Sequence, residues 1–156
     1  MMESENMFNK QALYDERRAI NGTFGYVYLE GELVREATAL KATIELEFLK
    51  VPMCGDLAEH QKVSGMKGKG SITMTKVNSR MAKLLSEYIK AGKTPKFTII
   101  SKLDDPDAYG AERVVVKGVQ FDSLTLADWG TNKIGEINQP FTFTDWEFLD
   151  FIEPTF

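Results

Sequence analysis

Apolar residues recur with period two through most of this chain and with a helical period in one segment. Residues 78–92, N-S-R-M-A-K-L-L-S-E-Y-I-K-A-G, place Met81, Leu84, Leu85, Tyr88 and Ile89 at i, i+3, i+4, i+7 and i+8, the spacing of one buried helical face. Asn78 or Ser79 can accept the unpaired backbone N–H groups at the start of such a helix, and Gly92 can take the left-handed conformation that ends it. Pro95 then prevents continuation. The pattern predicts one amphipathic helix packed on a sheet.

The strand signals surround it. Phe24–Leu29 alternate and lead into a turn at E-G-E, residues 30–32. Residues 37–49 carry the clearest alternation, with Leu40, Ala42, Ile44, Leu46 and Phe48 on one face and Lys41, Thr43, Glu45 and Glu47 on the other. Such a strand is about 40 Å long, more than one small domain readily pairs. Residues 50–70 hold one proline and four glycines without sustained period, and are expected to form a long loop or flexible hairpin. Further strands are expected at 71–77, 96–103, 112–121 and from about Ile134 to Phe148, where Pro140 implies an edge or a bulge. The acidic run D-D-P-D-A-Y-G at 104–110 reads as a turn. The class is mainly β, an α+β arrangement with one helix. Residues 1–23 are expected to be an N-terminal arm with weak helical pattern, ordered only if held from outside the monomer core, and residues 24–156 a single domain.

Composition narrows the function. The 156 residues are 43% hydrophobic and 27% charged, ordinary for a globular domain. No apolar run approaches a membrane helix and the N-terminus lacks a signal-peptide pattern, so no membrane anchor is expected and folding in a cytoplasm is. The one cysteine, Cys54, has no internal partner, in keeping with a reducing compartment. A net charge of −4 argues against a phosphate-binding surface, and the lysines of 62–69 lack interleaved aromatic residues for base stacking. Cys54 and His60 on a glycine-rich segment lack the rigid support a hydrolase pair needs, and they fall short of a zinc site. G-M-K-G-K-G at 65–70 precedes a strand, not the helix a phosphate loop requires. Pro106 and the missing distal glutamate break any calcium-loop reading of Asp104, Asp105 and Asp107. The aromatic residues Phe141, Phe143, Trp146, Phe148, Phe151 and Phe156 read as core for the most part, with the remainder available for contact between subunits. No catalytic residue, metal ligand or cofactor site is expected.

The order strand, glycine-rich segment, strand, helix, strand, acidic turn, strand, aromatic strand resembles that of the tail tube proteins of contractile-tailed bacteriophages, defective prophages and phage-tail-like bacteriocins. The likeness is carried by G-K-G-S-I-T-M-T-K-V-N-S-R at 68–80, E-Y-I-K-A-G at 87–92, P-K-F-T-I-I-S-K-L-D-D at 95–105, E-R-V-V-V-K-G-V-Q-F-D-S at 112–123 and P-F-T-F-T-D-W at 140–146. It implies an antiparallel β-sandwich or barrel-like subunit with one flanking helix, no enzymatic activity and no cofactor. It also implies hexameric rings stacked into a hollow tube inside a sheath. The implied partners are further copies of the chain, the sheath, baseplate, tape measure and tail terminator proteins, and DNA passing through the lumen. In that frame residues 52–70 are expected to contact the next ring, through Met53, Cys54, Gly55, Asp56, Leu57, His60, Lys62, Met66, Lys67 and Lys69. The polar strand face, Lys41, Thr43, Glu45 and Glu47, is expected to line the lumen. The alternatives are an inner-tube subunit of a bacterial contractile injection or secretion system and a monomeric β-barrel with a ligand pocket.

Overall fold

The computed structural model describes residues 14–154, among which lie eight strands and one α-helix. In chain order these are β1 (Gly25–Leu29), β2 (Glu32–Leu33), β3 (Ala37–Val51), β4 (His60–Thr75), α1 (Arg80–Lys90), β5 (Phe97–Leu103), β6 (Glu112–Phe121), β7 (Glu136–Phe143) and β8 (Asp145–Asp150). Every strand pairing is antiparallel, in the order β2-β1-β5-β6-β7-β4-β3, with β8 added to β6. The sheet does not close into a barrel. A cleft of about 820 Å³ lies between its β1 and β3 ends, lined in part by Tyr26, Val34, Thr38 and Leu40.

β6 belongs to two sheets. Residues from Glu112 to Val119 pair with β5, Arg113–Lys117 also pair with β8, and Gln120 and Phe121 then pair with β7. The changeover falls at Gly118, whose φ of 68° suits glycine and few other residues. The Thr144 hydroxyl occupies the space a Cβ at Gly118 would need, and the Thr144 N–H donates to the Lys117 carbonyl at 3.3 Å. The aromatic strand expected from Ile134 to Phe148 is therefore two strands, interrupted at Thr144. Pro140 lies inside β7, paired with Ser71 of β4, not on an edge. Its carbonyl accepts from Asp122, so its nitrogen faces the side on which β6 has already ended, and the missing donor breaks no ladder bond.

The two sheets and the helix share one core. Val27, Leu29, Ile99 and Val116 meet Ile72, Met74, Phe141 and Phe143, and α1 contributes Met81 and Leu85. The helix forms where expected. Asn78 accepts from the Arg80 N–H at 3.1 Å, and α1 ends with Gly92 donating to Ile89 and Lys93 to Tyr88, the paired bonds of a left-handed glycine cap. Only the first two turns are covered, however: Leu84 packs against the core, whereas Tyr88 and Ile89 are half exposed because the last turn extends past it. Leu85→Ala should lower subunit stability by about 2–5 kcal/mol through lost burial and a residual cavity. Lys83→Ala on the exposed side should change it by less than about 0.5 kcal/mol. Thermal denaturation of the two variants checks both.

An ion-pair cluster ties α1 to the sheet. Arg80 donates to Glu36 at 2.8 Å and pairs with Glu32 at 3.3 Å, and the Glu36 side chain is only 7% exposed. Burial alone would raise the Glu36 carboxyl. The Arg80 hydrogen bond, the residue's own N–H, the Arg80 charge and Asn78 outweigh that and hold it below its ordinary value of 4.5. A carboxylate depressed in the folded state adds stability above its unfolded value and loses it as pH falls through the folded one. The melting temperature should therefore drop as pH is lowered below about 4.5, and Glu36→Gln should remove this part of the pH dependence.

The long loop expected at 50–70 is mostly strand. Only residues 52–59 are loop, and β4 runs unbroken through the glycine-rich stretch and the expected 71–77 strand. Its glycines are places of close approach. A Cβ at Gly68 would lie 2.6 Å from the Phe143 carbonyl and 2.7 Å from its ring, and one at Gly70 would meet the Lys41 carbonyl and the Phe141 ring. Aromatic rings from β7 thus lie over β4 where its own side chains are absent.

Residues 1–13, the first part of the expected arm, and Phe156 lie outside the described residues. Residues 14–24 include two short 3₁₀ turns held by the chain itself. Asp105 accepts from Asn21 and Asp107 at 2.9 Å each, while Arg18 donates to the Asp107 carbonyl and lies over the Tyr109 ring. The acidic run is thus a turn that clasps the incoming chain.

Candidate assembly surface

β3 and β4 form a hairpin longer than the body it rises from. β7 covers β4 only from Gly68 to Thr75, so the distal part, from Glu45 to Lys67, is paired with itself alone. β3 is an edge along its whole length. Unpaired edges of this length are templates for another chain.

One face of the hairpin is apolar from the core outward. Leu40 pairs with Ile72, Ile44 with Gly68, Leu46 with Met66 and Phe48 with Val63. Val63 and Met66 are three apart and would face opposite ways on a regular strand. The irregularity between the Glu47–Gly65 and Phe48–Val63 pairs leaves Ser64 without a partner and returns Val63 to the face of Met66. Leu40 and Ile44 pack on the core, but Leu46 and Phe48, expected to face it, are 50% and 52% exposed. Beyond the end of β7 nothing in the subunit covers them. Val63 and Met66 extend this exposed set, while Leu49, opposite Lys62, is exposed on the other face.

The opposite face is polar. Register sets Lys41 against Ser71, Thr43 against Lys69, Glu45 against Lys67 and Glu47 against Gly65, with Lys69 also opposite Thr142 of β7. Lys67 and Lys69 therefore share a face with Lys41, Thr43, Glu45 and Glu47, although they were expected in a separate stacking loop. Lys69 pairs with Glu45 at 3.4 Å, both side chains about half exposed, so the pair adds little stability. Over these four pairs, three lysines and two glutamates leave the face mildly basic.

The tip is an ordered turn. Asp56 accepts from the Ala58 N–H at 2.9 Å and from His60 at 2.7 Å, and Lys50 pairs with Glu59 at 3.0 Å. The Ala58 bond foremost, then His60, holds the Asp56 carboxyl below its ordinary range. Met53 is half exposed, Leu57 fully exposed, and Cys54 is an exposed thiol. Of the expected stacking set, Met53, Cys54, Gly55, Asp56 and Leu57 lie in the tip, whereas His60, Lys62, Met66, Lys67 and Lys69 lie on β4. Sequence reasoning missed Leu46, Phe48, Leu49 and Val63 as surface residues. The excess length of the 37–49 pattern was the available signal.

The C-terminal aromatics divide in a similar way. Phe141 and Phe143 are buried and Trp146 packs against the core, while Phe148 and Phe151 stack at 4.8 Å on the surface. Among the described residues no group of His, Cys, Asp and Glu is placed to hold a metal ion, and no helix is long and apolar enough to cross a membrane.

Comparison with known proteins identifies the family and the fold. The sequence profile of the family described as phage tail tube protein matches residues 12–150. The phage-like element PBSX protein XkdM of Bacillus subtilis (strain 168) is 32% identical over 142 residues, covering 90% of this chain and 97% of XkdM. Two solved structures share the fold at low identity. One comes from the sheath/tube terminator of an extracellular contractile injection system, PVC, in its extended state, with a TM-score of 0.66, 11% identity and coverage of 88% of this chain and 99% of that one. The other comes from the tail of an empty gene transfer agent particle refined with C6 symmetry, with a TM-score of 0.58, 15% identity and coverage of 85% and 100%. On the profile match and the XkdM relationship, the chain belongs to the phage tail tube protein family, a structural tail component of a virion or phage-like particle and not an enzyme.

Proposed function

We propose that six copies of this chain close into a ring and that rings stack into the inner tube of a contractile tail. The observation that carries the reading is the projecting β3–β4 hairpin, an unpaired edge with an exposed apolar stripe on one face and a charged face on the other. A lone subunit keeps such an edge at the risk of aggregation, whereas a closed ring removes it. The sixfold tail of the gene transfer agent particle supports the stoichiometry, and the PVC likeness supports a sheath as partner. Baseplate, tape measure and terminator proteins complete the set of partners, and assembly takes place in the host bacterial cytoplasm. The polar face of β3 and β4 lines the lumen, through which DNA passes if the particle carries a genome. The PVC likeness equally suits the inner tube of a contractile injection system. Negative-stain microscopy of concentrated protein tests the reading. Rings or tubes are expected, and a monomer at every concentration overturns it in favour of a free-standing subunit.

The lumen assignment has its own test. Changing Glu45→Lys and Glu47→Lys together turns the face into five lysines and should still allow folding, since exposed pairs contribute only about 0–1 kcal/mol. Tails of normal length with slowed genome ejection, most marked at low salt, are expected because added phosphate contacts retard the polyanion. Normal ejection with failed sheath assembly would place this face on the outer wall.

A further inference from the structure

Positive charge in this chain is gathered on one segment. Residues 76–96 hold Lys76, Arg80, Lys83, Lys90, Lys93 and Lys96 against one acid, Glu87, although the whole chain has a net charge of −4. Arg80 is neutralised by Glu36 and Glu32. The lysines are all exposed, and none of them forms an ion pair with a described residue. The densest part is Y-I-K-A-G-K-T-P-K at 88–96, with three lysines and no acid. It begins where α1 extends past the core, so Tyr88 and Ile89 stand out beside Lys90, 46% and 55% exposed. The Lys93 N–H donates to the Tyr88 carbonyl at 3.0 Å, which keeps Lys93 at the same helix end. Met81 and Leu85 share their core with Ile72 and Met74, so α1 lies on the side of β4 away from Lys67 and Lys69.

We propose that this end of α1 is a peripheral contact for a bilayer rich in anionic phospholipid. Tyr88 and Ile89 enter the headgroup layer, and Lys90, Lys93 and Lys96 pair with its phosphates. The inference rests on the tube reading above, in which the side away from the lumen is the wall that a bare tube presents to an envelope. Three features favour lipid over an acidic protein as the occupant. The free cations are all lysines, which protein interfaces disfavour while they enrich arginine. The turn projects past the core, so it offers an edge that a fluid headgroup layer can take up without a matching groove. Tyrosine beside an aliphatic residue and lysines is the composition of an interfacial anchor. One such patch binds weakly, and a tube repeats it in every subunit.

Vesicle flotation tests the proposal, with phosphatidylcholine alone and phosphatidylcholine mixed with phosphatidylglycerol. Wild-type protein should float with the mixed vesicles only, and less as salt is raised. The triple variant Lys90→Gln, Lys93→Gln, Lys96→Gln should keep the wild-type circular dichroism and bind about 100-fold more weakly. Lys90→Arg, Lys93→Arg, Lys96→Arg should bind as wild type. Tyr88→Ser with Ile89→Ser should weaken binding and leave its salt dependence unchanged. Equal binding to both vesicles, or wild-type binding by the glutamine or the serine variant, would overturn the proposal. Unchanged flotation of the glutamine variant together with failed sheath assembly would give this helix end to the sheath instead. Wild-type protein that forms neither rings nor tubes would overturn the tube reading, while flotation decides the lipid contact separately.

Discussion

Joining Leu46 to Met66 through a two-residue turn should give a folded subunit that no longer makes long tubes. The two residues are direct partners, so the shortened hairpin keeps its register. The deleted segment bonds only to itself, since β7 first meets β4 at Gly68, and the core residues of β3 and β4 all lie on the retained side. Stability should change by about 1 kcal/mol or less, because a shorter connection offsets part of the lost pairing. Assembly should fail, because the bulge, the tip and the outer part of the apolar stripe have gone. Circular dichroism and microscopy on one sample decide it. Tubes of ordinary length would assign stacking to other surfaces, and an unfolded product would make the distal hairpin part of the fold.

Phe141→Ala should cost about 3–5 kcal/mol, the largest loss expected from a single core truncation here. Phe141 is 1% exposed and lies between Phe121, edge-on at 6.1 Å, and Phe143 at 6.2 Å. Its ring also lies over Gly70, where β4 contributes no side chain of its own. The cavity would open beneath a backbone that cannot collapse into it, because the Lys41 carbonyl already bounds the other side. Denaturant titration would read the loss as a lower midpoint at nearly unchanged slope. A loss below about 1 kcal/mol would mean that the two sheets pack through other residues.

Where local pattern and tertiary surroundings agreed, the chain was legible. α1 followed from the spacing of Met81, Leu84 and Leu85 together with its caps, and β6 was found with the bounds it has, because Val114 to Val116 and Val119 admit little else. β4 was not legible, for two physical reasons. Gly68 and Gly70 stand where apolar residues would have shown the alternation, their places taken by rings that arrive from residues 141 and 143. Ser64 then shifts the phase, so Met66 and Val63 read as unrelated although they share a face. β3 failed in the opposite sense, since its alternation was correct while burial of the whole apolar side was not. Alternation tells which residues share a face, and only the length of β7 tells how much of that face is covered. The candidate site suffered from the same limit, because Lys67 and Lys69 joined the polar face once β4 was known to be a strand.

The double membership of β6 has a mechanical meaning. A strand hydrogen-bonded to β5 and β8 over one stretch and to β7 over the next cannot be drawn out of one sheet without shearing the other. Load entering through β4 and β7 therefore reaches β5 and β1 through backbone bonds, and the body yields as a unit or not at all. The distal hairpin, two strands thick and without backing, is the compliant element. In the tube proposed above, axial load would bend these hairpins before it deformed the body of each subunit.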